Sequence, residues 1–116
     1  MKSRSLKKIR EEKNAMDDVM FVQCNLEIMT VRFDKILLLK GSFPFLIEVG
    51  KFPEESFKLI KDTLLQKGIK GSLIVKFQLQ TSKPLSGSIK TQIDDFTDKE
   101  FAFLREDIEH AILVLF

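Results

Sequence analysis

The sequence PEESFKLIKDTLLQKGIKGSLIVKFQLQ, residues 53–80, changes from a helical to a strand pattern across one short glycine-bounded segment. Its first half carries apolar residues every three or four positions, which places them on one face of a helix. This stripe consists of Phe57, Ile60, Leu64 and Leu65. Pro53 in the first helical position is typical of a helix N-terminus. Gly68 follows as a left-handed C-terminal residue, and Ile69 is placed to contact Leu64.

The second half of the stretch alternates as a strand does, and we expect this strand to run from Ser72 to Gln80. Its inward face carries Leu73, Val75, Phe77 and Leu79, and its outward face carries Lys76, Gln78 and Gln80. A loop over 81–87 and a partner strand over 88–94 follow, with Ile89, Thr91 and Ile93 on one face. A helix beside an antiparallel strand pair predicts an α+β fold.

A second helix begins after Phe96. Thr97 and Glu100 form a capping box, and Phe96 and Phe101 occupy the two positions of a hydrophobic staple. The main apolar stripe behind this cap consists of Phe101, Leu104, Ile108, Ala111, Ile112 and Leu115. A shorter second stripe holds Phe103, His110 and Val114. The pattern leaves open whether residues 111–116 are helix or strand.

Residues 19–49 are rich in strand-forming residues and predict three strands. The alternation of Val22 to Ile28 changes face at Met29, which predicts a bulge or a turn near Asn25. Asp34-Lys35 and Gly41-Ser42 are the expected turns, so the second strand covers 36–39 and the third 43–49. Pro44 lacks a backbone donor and therefore predicts an edge position.

The complete order is α-β-β-β-α-β-β-α in a single α+β domain over 1–116, with a largely antiparallel sheet. Its first element is a basic N-terminal helix within residues 1–16. If residues 111–116 form a strand, residues 43–116 instead have the ferredoxin-like order β-α-β-β-α-β.

Composition favours a protein that works by binding rather than by catalysis. All eleven aromatic residues are phenylalanine, and the chain has one His and one Cys, so few side chains titrate near neutral pH. One cysteine forms no intramolecular disulfide, and no apolar run reaches membrane-spanning length. We expect a non-enzymatic, soluble, cytoplasmic protein without a metal or another cofactor.

The basic charge is concentrated at the N-terminus. Residues 1–13 carry six basic and two acidic residues, whereas the rest of the chain has a net charge of −2. The basic residues are Lys2, Arg4, Lys7, Lys8, Arg10 and Lys13. Such a segment can bind nucleic acid or an anionic surface, or it can be the solvated face of a helix.

The residues that resemble catalytic or metal-binding groups have simpler structural interpretations. His110 has no second His or Cys ligand within sequence reach, and Cys24 lies in an alternating apolar strand. Asp94, Asp95 and Asp98 surround a helix N-terminus, where the helix dipole favours negative charge.

The element order is similar to that of the small homodimeric chaperones of type III secretion, the Tir-chaperone-like family. The local likeness lies in the strand pair Gly71 to Gln80 and Ser88 to Asp94, followed by the capped helix that starts Phe96-Thr97-Asp98-Lys99-Glu100-Phe101. Those chaperones are usually acidic, whereas this chain has an isoelectric point near 8.7, and its loop over 68–71 is short. The resemblance implies a homodimer that holds an extended partner segment against sheet and helix surfaces.

Four apolar residues are the predicted contacts for a protein or peptide partner. Phe43 begins a strand predicted to lie at an edge, and Phe103 lies off the main stripe of its helix. Phe45 and Val114 extend these two surfaces. The alternative is that the stripe holding Phe103 and Val114 packs under the N-terminal helix.

Overall fold

The computed structural model describes the backbone of residues 21–32 and 35–116, and the side chains of residues 21–30 and 39–116. The predicted N-terminal helix and its six basic residues lie outside the described residues. The elements in chain order are β1 (Phe21–Arg32), β2 (Lys35–Leu46), α1 (Glu54–Lys67), β3 (Gly71–Gln80), β4 (Leu85–Ile93) and α2 (Asp98–Leu113).

The four strands form one antiparallel sheet in the order β2-β1-β3-β4. The chain makes a hairpin and a helix twice, and the first strands of the two hairpins pair at the centre of the sheet. Within the described part of the chain, β2 and β4 are therefore the edge strands. The α+β class and the antiparallel sheet are confirmed, and the described elements follow the predicted order of strands, helix, two strands and helix.

The two faces of the sheet differ in chemistry because side chains alternate along each strand. One face is apolar and lies under the helices, with α1 nearest β2 and α2 nearest β4. The row Phe43, Cys24, Leu79 and Leu85 crosses all four strands on this face. On the opposite face, the row Lys40, Glu27, Lys76 and Ser88 is polar. Among the described elements, the helices therefore cover one face, and we call the other, which also carries the half-buried Met29 and Ile74, the open face.

The predicted bulge or turn near Asn25 is wrong, because β1 pairs with β2 without interruption from Phe21 to Arg32. Thr30 is buried and continues the inward face of Val22 to Ile28. Met29 lies half-buried on the open face. The strand β1 is therefore regular and does not change face at Met29. Apolar residues simply occupy both of its faces.

The predicted turns in the first hairpin are also displaced. Lys35 pairs with Arg32 and belongs to β2, and Gly41 and Ser42 pair with β1 in mid-strand. A Cβ on Gly41 would lie 2.5 Å from the Phe43 ring, so this glycine makes room for an aromatic side chain instead of forming a turn. The strands expected over 36–39 and 43–49 are thus one strand that ends at Leu46.

The second hairpin is tighter than predicted, since β4 begins at Leu85 and only residues 81–84 connect it to β3. Gly87 lies within β4, opposite Phe77. Gly87 suggested a loop, but it is a mid-strand residue beside a phenylalanine ring, as Gly41 is in β2.

Helix α1 has the predicted buried stripe of Phe57, Ile60 and Leu64. Leu65 is 39% exposed, so its expected place in that stripe was wrong. Gly68 has φ 64°, and the N–H of Ile69 donates to the Leu64 carbonyl at 3.0 Å. The predicted helix end is confirmed.

Helix α2 begins as predicted. The Thr97 hydroxyl accepts from the Glu100 N–H at 3.2 Å, and the Phe96 and Phe101 rings stack with centroids 6.1 Å apart. The helix continues to Leu113, and Val114 still donates to the His110 carbonyl. Residues 111–113 are therefore helical, and the ferredoxin-like alternative is wrong.

Candidate functional site

An open groove with a volume of about 760 Å³ lies between α2 and β4. Its floor and walls come from the second hairpin and from the outer side of the helix. The lining residues are Phe77, Gly87, Ser88, Ile89, Lys90, Glu106, Asp107, His110, Ala111, Val114 and Leu115. We call it the α2–β4 groove. A cavity of this size is within the range that ligand sites occupy.

The α2–β4 groove reaches the outer edge of β4. Four consecutive residues of that strand, 87–90, line it. A cavity above one face of a sheet would contact only alternate residues, because successive side chains point to opposite faces. Among the described strands, β4 pairs only with β3. The groove therefore lies beside a strand edge that has backbone groups available for pairing.

Gly87 forms the floor at one end of the groove. A Cβ at this position would lie 3.0 Å from the Phe77 ring and 3.9 Å from Leu115 Cδ1. The absence of a side chain lets Phe77 from the neighbouring strand lie across the glycine and contribute apolar surface to the groove.

The two ends of the groove have different chemistry because α2 runs antiparallel to β4. Asp107 Oδ2 accepts from the Thr91 hydroxyl at 2.9 Å, whereas Leu115 lies near Gly87. On the α2 side, the end near Thr91 is acidic through Asp107 and Glu106, and Lys90 at this end lies on the opposite face of the sheet. The end near Gly87 is apolar through Val114 and Leu115.

The structure separates the four predicted partner residues into two pairs. Phe103 on α2 and Val114, which directly follows this helix, are 52% and 62% exposed, and Val114 lines the groove. Phe43 and Phe45 are only 8% and 0% exposed, so their expected role as partner contacts is wrong. They face the core because β2, although an edge strand as Pro44 predicted, turns these rings toward the helices.

Cys24 and His110 lie in different environments. Cys24 is fully buried on the apolar face of β1, and burial raises the pKa of its thiol to about 12. The thiol is therefore protonated near neutral pH, which is the opposite of an activated nucleophile. His110 is exposed and lines the α2–β4 groove.

The carboxylates around the start of α2 contact the protein itself. Asp95 accepts from the Phe96 N–H at 2.8 Å, and Asp98 accepts from Lys61 at 2.9 Å. The hydrogen bond and charge of Lys61 hold the pKa of Asp98 below its ordinary value. Both carboxylates lie beside the N-terminus of α2, where the helix dipole favours negative charge. Among residues 21–32 and 35–116, no three His, Cys, Asp or Glu side chains converge as metal ligands would.

Sequence reasoning missed a buried polar network between α2 and the segment before α1. Glu109 is 8% exposed, and its Oε2 accepts from the Phe52 N–H at 2.7 Å and from Arg105 Nε at 3.0 Å. Arg105 also contacts Glu54 at 3.1 Å and donates to the Phe52 carbonyl. Burial alone would lower the pKa of Arg105, but the hydrogen bonds to Glu109 and Glu54 outweigh it and raise that pKa. The sequence feature that could have predicted this network is Glu109, which follows Ile108 on the buried side of the helix and lies four residues after Arg105.

In the described part of the chain, no helix combines the length and apolar character needed to cross a membrane. Comparison of the chain with family models, with curated proteins and with solved structures found no match.

Proposed function

We propose that this chain is a non-enzymatic protein-binding domain, chaperone-like or adaptor-like, that holds a segment of a partner in the α2–β4 groove. The observation that supports this most strongly is the groove's position beside the β4 edge. The groove combines apolar surface with the backbone of a strand that pairs, among the described strands, only with β3, and peptide recognition commonly uses each of these features. Phe103 on α2 and Val114 directly after it add exposed apolar side chains.

The burial of Cys24 and the self-contained contacts of the carboxylates also support a binding role. Neither set of residues has the geometry of an activated nucleophile or of an acid–base pair. Helix α2 instead carries exposed apolar surface, of the kind that becomes buried when a partner binds.

The test is capture of partners from the native host by the full chain, with bound proteins identified by mass spectrometry. Val114→Glu places a charge in the groove and should remove the specific partner. Leu59→Glu is the matched control, because Leu59 is 60% exposed on α1 and does not line the groove. Equal capture by both variants would contradict the proposal.

We further propose that the chain is cytoplasmic, as its single cysteine and its lack of a membrane-length apolar run led us to expect, and that it is a homodimer, as the family resemblance implies. Sedimentation velocity over a hundredfold concentration range should show a monomer–dimer equilibrium or a stable dimer. A monomer throughout that range would remove this part of the proposal.

A second candidate function is nucleic-acid binding through the basic segment over 2–13. Lys40, Lys76 and Lys90 on the open sheet face, against one acidic residue, Glu27, favour it. Phosphate binding releases counterions, so affinity for a generic oligonucleotide should fall steeply with salt. It should also disappear when residues 1–13 are deleted. Salt-independent or absent binding would reject this candidate.

A further inference from the structure

We infer that the α2–β4 groove takes an extended segment that adds to β4 as a fifth, antiparallel strand and reads basic–x–apolar–x–apolar from its N-terminus. This inference rests on the proposed function and names the chemistry of the partner segment. The alternation comes from the two faces of the sheet, and the order comes from the polarity of the groove.

Strand addition follows from the way the groove meets β4. Residues 87–90 line it consecutively, so a chain lying in the groove runs along the strand edge. All described pairings in the sheet are antiparallel, and antiparallel pairing is slightly more stable per residue. The added strand would therefore continue the pattern of the sheet.

The two faces of the sheet determine which side chains of the segment are apolar. A residue opposite Ile89 or Gly87 points toward α2, where Ala111, Val114 and Leu115 line the groove. A residue opposite Ser88 or Lys90 points to the open polar face. Apolar and polar residues must therefore alternate, because a shift by one position exchanges the two faces.

The acidic end of the groove determines the position of the basic residue. A side chain opposite Thr91 lies on the α2 side, beside Asp107, whose oxygen is bonded to the Thr91 hydroxyl. Glu106 is exposed and makes no ion pair with a residue in the described part of the chain. A lysine or arginine at this position would complement both carboxylates. In an antiparallel segment, the residue opposite Thr91 precedes those opposite Ile89 and Gly87.

The test uses the full chain and a fluorescein-labelled peptide, Ser-Arg-Thr-Val-Thr-Phe-Ser, in fluorescence anisotropy. Its isomer Ser-Arg-Val-Thr-Thr-Phe-Ser has the same composition, but Val and Phe point to opposite faces. We expect the isomer to bind roughly tenfold more weakly, since one apolar side chain loses its burial. A third peptide carries N-methyl groups on the amides that would pair with β4, and it should lose roughly tenfold for lack of those hydrogen bonds.

Reversing the charge of Glu106 tests where the basic residue of the bound segment lies in the groove. Glu106→Lys should weaken the arginine peptide by roughly threefold, as expected for a solvent-exposed pair, and should strengthen a peptide with Glu in place of Arg. Asp62→Lys is the matched control, because Asp62 is an exposed acidic residue in the middle of α1. That variant should leave both peptides unchanged.

Equal affinity of the isomer or of the N-methylated peptide would overturn strand addition. Loss of peptide binding up to millimolar concentration, while partner capture still depends on Val114, would overturn the inference and leave the proposed function standing. Occupation of β4 by a second copy of this chain would also overturn it: sedimentation would then show a dimer that Val114→Glu dissociates, and this dimer would not bind the peptide. Partner capture that is insensitive to Val114→Glu would instead reject the proposed function.

Discussion

The Glu109 network predicts a large loss of stability from a substitution that changes almost no volume. In Glu109→Gln the side chain keeps its shape but loses its charge. It then accepts from the Phe52 N–H and from Arg105 as a neutral group. Hydrogen bonds to charged groups contribute about 1.5–3 kcal/mol and neutral ones about 0.5–1.5 kcal/mol. The bond at 2.7 Å from the Phe52 N–H becomes neutral, and the bond at 3.0 Å from Arg105, which stays charged, loses its ion-pair character. Together these changes would lose about 2 kcal/mol.

Removal of one partner from a fully buried ion pair costs about 3–5 kcal/mol. The loss expected for Glu109→Gln, about 2 kcal/mol, is smaller than this because Arg105 is only partly buried and keeps its contacts with Glu54 and the Phe52 carbonyl. Glu109→Ala additionally leaves the Phe52 N–H without an acceptor, which raises the expected cost to about 3–4 kcal/mol.

The assay is urea unfolding followed by circular dichroism at 222 nm, since the chain has no Trp or Tyr for intrinsic fluorescence. We expect Glu109→Gln to lower the free energy of unfolding by about 2 kcal/mol and the melting temperature by about 8 °C. The control is Glu106→Gln on the exposed side of the same helix, with an effect within about 0.5 kcal/mol. A Glu109→Gln variant as stable as this control would refute the reasoning. In a double-mutant cycle with Arg105→Met, the coupling free energy should exceed about 1 kcal/mol.

Three further results are expected. Gly68→Ala should cost about 1–2 kcal/mol in urea unfolding because its φ of 64° is left-handed, and Gly68→Asn should cost less; equal costs would refute a conformational cause. Cys24 should react with a thiol reagent at pH 8 roughly a thousandfold more slowly in the native than in the urea-unfolded protein, and comparable rates would contradict its burial. The pKa of Asp98 is lowered in the folded state, so its stabilising contribution is complete above the ordinary value of 3.8 and is lost as pH falls through the folded pKa. The difference in unfolding midpoint between wild type and Asp98→Asn should therefore shrink below pH 3.8, and a constant difference would reject the ion pair with Lys61.

Local signals predicted the second half of the chain well. The αL position of Gly68, the Thr97 cap and the Phe96–Phe101 staple depend on residues within one or two turns of each other. Short-range geometry determines such contacts, so the sequence pattern predicts them directly.

The errors in the first half share one physical cause. Gly41 was interpreted as a turn residue, but it lies in mid-strand because it pairs with Leu26 of β1, and it leaves space for the Phe43 ring. Phe43 and Phe45 were interpreted as surface residues, but the helices cover their face of β2. Both outcomes depend on packing partners that are distant in the sequence. The local periodicity of a strand does not predict which residues these partners are.

The sequence by itself determined the helices α1 and α2, the alternation of β3 and β4, and the α+β class, because side-chain period and capping are local properties of the chain. The tertiary structure alone decided the strand order, which placed β1 and β3 at the centre and left β4 at an edge beside α2. It also brought Glu109 to the Phe52 N–H and set the acidic and apolar ends of the α2–β4 groove. These features arise where residues far apart in the chain meet, so they follow from packing the two hairpin–helix units on one sheet.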